Sequence, residues 1–285
     1  MEFKLRFMKD HFEAELWLLP LLCDKNKISV DVGAHMGNYS YYMARFCRAV
    51  ISFEPNDGHW TILRRLLGSD LHLEKVALSE KVGSATLRID TGTATIENKN
   101  LLQSVANRKV VVQTRDVTTR TLDSFGFSDV LVIKIDVEGH EEAVISGALE
   151  TIRRNWPVLI IETENRHNAG APQRLERTLA ALGYHACYVK DRDVLPFNTL
   201  RAEDTDPRNI GSSERHCINN FLFLPPSIGL PFGKDTASVV ARGTAHGSFR
   251  ASLSRGNPCS TDGWIASGLA GWSMVQRGLE QVGGR

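Results

Sequence analysis

Apolar residues along this chain fall into short dense runs separated by stretches of helical periodicity. Ile28 to Val32 is compact and β-branched and reads as a buried strand. Ala49 to Phe53, His72 to Ala77, Val130 to Asp136, Val158 to Ile161, Tyr184 to Val189 and Ile218 to Leu224 read the same way. Helical spacing fills the gaps. Ser40, Met43, Ala44 and Cys47 share one face. Trp60, Leu63 and Leu67 share another, with Asp57 as the expected cap and Gly68 as the stop. A helix is predicted over 140–155, with Ile145, Ala148, Leu149 and Ile152 inward and Pro157 beyond its end. Another is predicted over 172–182, with Leu175, Leu179 and Leu182 inward and Gly183 closing it. An amphipathic lead-in helix is predicted over 9–23, carrying Phe12, Leu16 and Leu19, with Pro20 bending or ending it.

Strands alternating with helices predict an α/β fold, a mostly parallel doubly wound sheet covered on both faces. Two regions break the alternation. Residues 80–120 carry short alternating runs, Ala85 to Ile89 and Val110 to Thr114, and are expected to form a β-rich insertion with a mobile loop near 91–106. After Pro225-Pro226, residues 227–285 are rich in Gly, Ser, Arg and Thr without periodicity. A disordered or weakly structured tail is expected there. The expected organisation is therefore a lead-in at 1–27, a domain at 28–226 and the tail at 227–285.

Composition narrows the class. The chain has 285 residues, 42% of them hydrophobic and 24% charged, which fits a globular protein. With 34 basic against 33 acidic side chains it carries no excess that would favour a nucleic-acid partner. Arg64-Arg65 and Arg153-Arg154 read as solvated helix faces. The five cysteines form no C-x-x-C pair, so neither a disulfide framework nor a zinc site is expected; Cys23 and Cys47 read as small core side chains. No run approaches the roughly 20 apolar residues of a membrane span. Leu16 to Cys23 is short and follows charged residues, so a cytoplasmic location is expected.

Ligands in such sheets bind beyond the carboxyl ends of the strands, and three of those ends carry chemistry. Asp31-Val32-Gly33-Ala34-His35-Met36-Gly37 is a strand-to-helix turn, with glycines that allow tight turning and close approach. It has G-x-x-x-G where a dinucleotide site uses G-x-G-x-x-G. Asp31 would be unhelpful beside a pyrophosphate and suits a cationic ammonium, such as the amino-acid end of S-adenosylmethionine (SAM). Glu54 closes the second strand, where a carboxylate can accept two hydrogen bonds from ribose hydroxyls. Lys134-Ile135-Asp136-Val137-Glu138-Gly139-His140 follows the fourth strand. Lys134 within an apolar run needs a partner, and Asp136 is the nearest on its face. Glu162, Glu164 and His167 follow the fifth strand on the same rim, where with Asp136 they could hold a divalent cation. Spacing alone does not establish such a site, and no metal is assigned. Trp60, Trp156 and the Tyr39, Tyr41, Tyr42 group read as packing residues.

In this order these motifs resemble the FkbM family of SAM-dependent methyltransferases. The resemblance rests on Asp31-Val32-Gly33-Ala34 with Gly37, Phe53-Glu54-Pro55-Asn56, Ala77-Leu78-Ser79, Thr121-Leu122-Asp123 and Ile133 to Gly139. It covers about residues 28–224. His35 stands where the family commonly has Asn. The resemblance implies a Rossmann-like seven-stranded sheet with an antiparallel last strand, and methyl transfer from SAM to a hydroxyl of a sugar, glycan or secondary metabolite. It implies that Gly33, Ala34 and Gly37 line the cofactor, with Asp31 at its amino-acid end, Glu54 at its ribose and Ala77 and Leu78 at its adenine. Asp136, Glu138 and His140 cluster where the methyl group and its acceptor would meet, and are the candidate catalytic residues. Two other readings stay open: an NAD(P)-dependent oxidoreductase of a nucleotide sugar, and a non-catalytic SAM-binding protein.

Overall fold

The computed structural model describes residues 13–68, 71–89, 94–96, 113–190, 193–206 and 217–228. The expected tail beyond Ile228, and the expected loop near 91–106 apart from 94–96, lie outside the described residues. So does the start of the lead-in helix, through residue 12.

The main sheet is built from β1 (Ile28–Val32), β2 (Ala49–Phe53), β3 (Leu71–Glu74), β8 (Val130–Ile135), β9 (Val158–Glu162), β10 (His185–Lys190), β11 (Asp193–Pro196) and β12 (Asn220–Leu224). Its order is β11-β10-β12-β9-β8-β1-β2-β3. β3, β2, β1, β8 and β9 pair in parallel, while β12 runs antiparallel between β9 and β10. This is the expected Rossmann-like topology with one strand more than the seven expected. The addition is β11, a four-residue edge strand antiparallel to β10. Its Asp and Pro conceal it from a propensity reading, yet Pro is tolerated on an edge and Val194 is buried.

The third strand is also shorter than expected. It stops at Glu74, and Ala77–Leu78 (β4) leaves to join a second sheet with β5 (Gly83–Ile89), β6 (Ala94–Thr95) and β7 (Gln113–Arg120), in the order β4-β7-β5-β6. β5 and β7 pair antiparallel over seven residues, from Gly83 with Thr119 to Ile89 with Gln113. The insertion is thus β-rich as expected, and it is a sheet of its own.

Side-chain alternation along the strands sorts the core into two layers. Val30, Val32, Ile133, Ile135, Leu159, Ile161, Phe221 and Phe223 face one way. They meet Val144 and Ile145 of α4 (Glu141–Ser146), Ile152 of α5 (Leu149–Asn155), and Leu175 and Leu179 of α6 (Ala171–Ala180). Val50, Val132, Ile160, Leu222 and Leu224 face the other way. They are covered by Tyr39 and Met43 of α2 (Asn38–Met43) and by the lead-in segment. That segment is a 3-10 turn, Ala14–Leu18, running into one α-helical turn, α1 (Leu19–Leu22), with Leu16, Leu18, Leu19 and Leu22 buried.

The single helix predicted over 140–155 is two helices. A Cβ on Gly147 would lie 2.1 Å from the Ser79 carbonyl oxygen, so the β4 turn packs into the break between them. α3 (Asp57–Leu67) ends at Gly68 as expected. Its cap is Asn56, whose side chain accepts from the Gly58 N–H at 3.1 Å, and Asp57 is the first helical residue. Trp156 was expected as a packing residue; it is 39% exposed and stacks on Tyr184. Among the described residues no helix is long and apolar enough to cross a membrane.

Candidate active site

The ends of β1, β2 and β8 converge on two adjoining cavities that share Gly33, His35 and Asp136. The larger spans about 740 Å³, part of it open to solvent, and has mostly apolar walls. Phe53, Val76, Ala77 and Leu78 form one side, Val137 lies at the β8 end, and Leu87, Ala94 and Ile96 of the insertion close the outside. The smaller spans about 450 Å³, part of it open to solvent, and is lined by Glu13, Asp31, Lys134 and Asp136 together with Ala34, His35, Met36, Asn38 and Tyr39.

Glu54 stands in the larger cavity. It is 4% exposed, and its carboxylate accepts the His35 backbone N–H at 2.6 Å through Oε2 and the Asn56 backbone N–H at 2.7 Å through Oε1. Two N–H donors leave further lone pairs on the same oxygens. His59 Nδ1 lies 3.6 Å from Oε1, and its ring meets that of His35 edge-on. His35 itself has φ +49. The strained turn therefore presents its backbone N–H to Glu54 while its ring lines both cavities.

The two glycines have different reasons. At Gly33 (φ +79) a Cβ would sit 1.8 Å from the Asp136 carbonyl oxygen, so the β1 and β8 turns can meet only without one. At Gly37 (φ +92) a Cβ would press on Leu63 of α3 at 2.7 Å. Gly37 seats α2 on α3 and is not among the residues lining either cavity, whereas Gly33 lines both and Ala34 lines the smaller.

Asp31 is fully enclosed on the α2 side of β1. Ser40 Oγ donates to its Oδ2, and Ser52 Oγ, 2.7 Å away, donates in turn to Ser40. Burial lifts the Asp31 carboxyl to about 6, against the pull of the Ser40 hydroxyl and the Lys134 charge. Lys134, 1% exposed, donates to Asn220 Oδ1 at 2.8 Å and lies 3.5 Å from Glu162 Oε2 and 4.7 Å from the centre of the Tyr39 ring. The expected direct pairing with Asp136 is thus replaced by partners on β9 and β12. Burial alone would depress the Lys134 ammonium, but the charges of Asp136, Glu162, Glu13 and Glu15 outweigh it and hold it above its ordinary value. Burial and the neighbouring Glu162 push the Asp136 carboxyl well up, with Lys134 opposing.

Glu138 has φ +55 and Gly139 φ +103, a left-handed pair that turns Glu138 toward the larger cavity. Its Oε2 lies 2.7 Å from His167 Nε2. A Cβ on Gly139 would crowd His167 Cβ at 3.1 Å, so the loops after β8 and β9 close on each other here. Burial lowers the His167 pKa, but the Glu138 carboxylate more than reverses that and leaves it raised. His140 lines the same cavity and lies 2.9 Å from Ser79 Oγ through Nε2. Among the described residues no group of three or more His, Cys, Asp or Glu is arranged to hold a metal ion.

Three contributors have no signature in the local motifs. Glu13 accepts from the Tyr39 hydroxyl at 2.8 Å and from Asn220 Nδ2 at 3.1 Å, which brings the lead-in segment into the acidic cavity. Glu141, 1% exposed, accepts the Gly139 N–H at 2.8 Å and so fixes the Glu138 turn. Asn220 reaches Lys134 across 86 positions of sequence.

A doubly wound sheet whose strand tips carry Asp31, Glu54 and Asp136 into two adjoining cavities defines an α/β domain with its candidate site beyond the carboxyl ends of the strands. Residues 31–186 match the model of the methyltransferase FkbM domain, and the chain belongs to that family. No curated protein matches. Among solved structures, the chain is similar to methyltransferase FkbM from Methylobacillus flagellatus, at 15% identity and a TM-score of 0.44 over 70% of this chain and 44% of that one. It is also similar to an rRNA methylase from Streptococcus thermophilus, at 11% identity and a TM-score of 0.40 over 73% and 91%. A precorrin-6y C5,15-methyltransferase from Geobacter metallireducens gives 11% identity and a TM-score of 0.38 over 74% and 84%. This chain therefore spans less than half the length of the FkbM structure it matches.

Proposed function

We propose that this protein transfers a methyl group from SAM to a hydroxyl of a sugar, a glycan or a secondary metabolite. The observation that carries the reading is Glu54, a buried carboxylate fixed by two backbone N–H groups with lone pairs left over beside an apolar cavity. Those acceptors fit the two hydroxyl donors of a vicinal ribose diol. Val76, Ala77 and Leu78 supply an apolar wall for an adenine ring, and Glu13, Asp31 and Asp136 line the adjoining cavity with carboxyl groups that suit an amino-acid ammonium. Gly33 and Ala34 let the chain approach the ligand at the junction.

Bound SAM supplies an electrophilic methyl group, so the protein's task is alignment and proton removal. Asp136, shared by both cavities and with its carboxyl pushed up by burial and by Glu162, is assigned to the junction of cofactor and acceptor. Glu138 is the group we assign to take the acceptor's proton, because it faces the cavity and is backed by His167. His140, with its Nε2 at Ser79, orients the acceptor. The insertion strands, which wall the cavity through Leu87, Ala94 and Ile96, are the assigned surface for acceptor selection.

The test is an acceptor screen with methyl-labelled SAM over sugars, lipid-linked glycans and polyketides, with product S-adenosylhomocysteine as the readout. Labelled product from a hydroxylated acceptor, lost in Glu138→Gln, supports the reading. Binding of a nicotinamide dinucleotide without binding of SAM rejects it.

A further inference from the structure

Cys23 and Cys47 lie outside the cleft, at the ends of the two elements that wall its acidic half. Cys23 caps α1 at the end of the lead-in segment that carries Glu13. Cys47 closes the turn after α2, the helix that carries Tyr39 and Ser40. Both sulfurs rest on one hydroxyl: Ser29 Oγ is 2.8 Å from Cys47 Sγ and 4.0 Å from Cys23 Sγ.

Cys47 belongs to the apolar core and Cys23 packs against it, as expected of small core side chains. Polar donors also converge on one of the two sulfurs. Cys47 Sγ receives the Cys23 thiol, the Ser29 hydroxyl and the Asp24 backbone N–H, with Lys25 nearby, and these lower its pKa to about 7 although burial opposes them. Cys23 is correspondingly raised, first by its hydrogen bond to Cys47 and then by burial. The opposed directions leave Cys47 as the thiolate-favoured member and Cys23 as its thiol partner. Both are free, and Cys23 is partly exposed while Cys47 is buried, so a small oxidant has one side of approach.

We propose that Cys23 and Cys47 form a reversible intramolecular disulfide when the protein meets hydrogen peroxide, stapling the lead-in segment to the end of α2. One sulfur takes an oxygen from the peroxide, which leaves as water, and becomes a sulfenic acid. The other thiol attacks that sulfur and expels the oxygen as a second water. Two thiols lose two electrons and two protons, and one peroxide is reduced to two waters. The two sulfurs, placed 4.0 and 2.8 Å from the same Ser29 Oγ, must close to about 2.0 Å by side-chain rotation. The staple joins the segment holding Glu13 to the helix holding its partner Tyr39.

The experiment treats the full-length protein with hydrogen peroxide, blocks remaining thiols with an alkylating agent, and maps peptides by mass spectrometry. The expected result is one Cys23–Cys47 linked peptide pair, 2 mass units lighter than the two thiol peptides together and reversed by dithiothreitol. Cys23→Ser, at the partly exposed position, is expected to abolish the pair and leave Cys47 alkylated or further oxidised. Separate alkylation of Cys23 and Cys47 after peroxide treatment, or linkage of either to Cys187, Cys217 or Cys259, would overturn the proposal. The outcome does not depend on the identity of the methyl acceptor.

Discussion

Glu54 accepts two backbone N–H groups while only 4% exposed, so its removal has two separable effects. Glu54→Ala leaves the His35 and Asn56 N–H groups without their acceptor. A loss of about 1–3 kcal/mol of stability per orphaned group is expected if water does not enter. It also removes the two charged hydrogen bonds assigned to the ribose, so SAM affinity should fall about 10- to 100-fold or more. Calorimetric titration and thermal unfolding read the two effects separately. Asp31 behaves in the opposite sense. Its folded-state carboxyl titrates near 6, above the ordinary 3.8, so the ionised form is disfavoured by folding. That penalty is fully present above pH 6 and is relieved as pH falls from about 6 to 3.8. Asp31→Asn keeps an acceptor for Ser40 and is expected to stabilise the apoprotein at pH 8 by on the order of 1–3 kcal/mol, with the gain shrinking as pH falls below 6 and gone below 3.8. The same variant should bind SAM more weakly, because a cationic ligand favours the ionised carboxylate. In the wild type, SAM affinity should be flat above pH 7 and fall with a slope near one proton below pH 6.

At the level of elements, the lead-in segment is part of the domain. Leu16, Leu18, Leu19 and Leu22 bury against Val132, Ile160 and Leu222 of the sheet. Leu19→Ala, at a fully buried position, should cost about 2–5 kcal/mol and lower the melting temperature accordingly. Denaturant unfolding checks this, and a change under 1 kcal/mol would show the segment to be an appendage. The Arg115–Asp57 ion pair joins the insertion to α3, but both side chains are about half exposed. Arg115→Ala is therefore expected to change stability by less than about 1 kcal/mol. The insertion is held instead by its own β5–β7 ladder and by Leu87, which is 2% exposed.

Across the whole molecule, what could be read from the sequence was whatever depends on local pattern. β1, β2, β8 and β9 follow from β-branched runs, and Gly33, Glu54 and Asp136 follow from their positions at strand ends. What escaped reading depends on contacts distant in sequence. Lys134 looked toward Asp136 because that residue is two positions away, but Asn220 and Glu162 take its ammonium. Gly147 breaks a helix that periodicity joins, because Ser79 backbone occupies the space a Cβ would need. Gly37, read with the cofactor turn, answers to Leu63 on the next helix. Glu13 enters the cleft only because the leucines after it bury on the sheet. Cys23 and Cys47 take core positions as their apolar neighbours indicate, but their common contact with Ser29 has no signature in the sequence.

The central claim is that the cleft built on Gly33 and Glu54 takes SAM. Isothermal titration of the purified protein with SAM, S-adenosylhomocysteine and NAD⁺, in parallel with the Glu54→Ala variant, tests it directly. The predicted result is one-to-one binding of the first two ligands, no binding of NAD⁺, and a loss of at least tenfold in the variant. Binding of NAD⁺ in place of SAM, or SAM affinity in Glu54→Ala equal to that of the wild type, would contradict it.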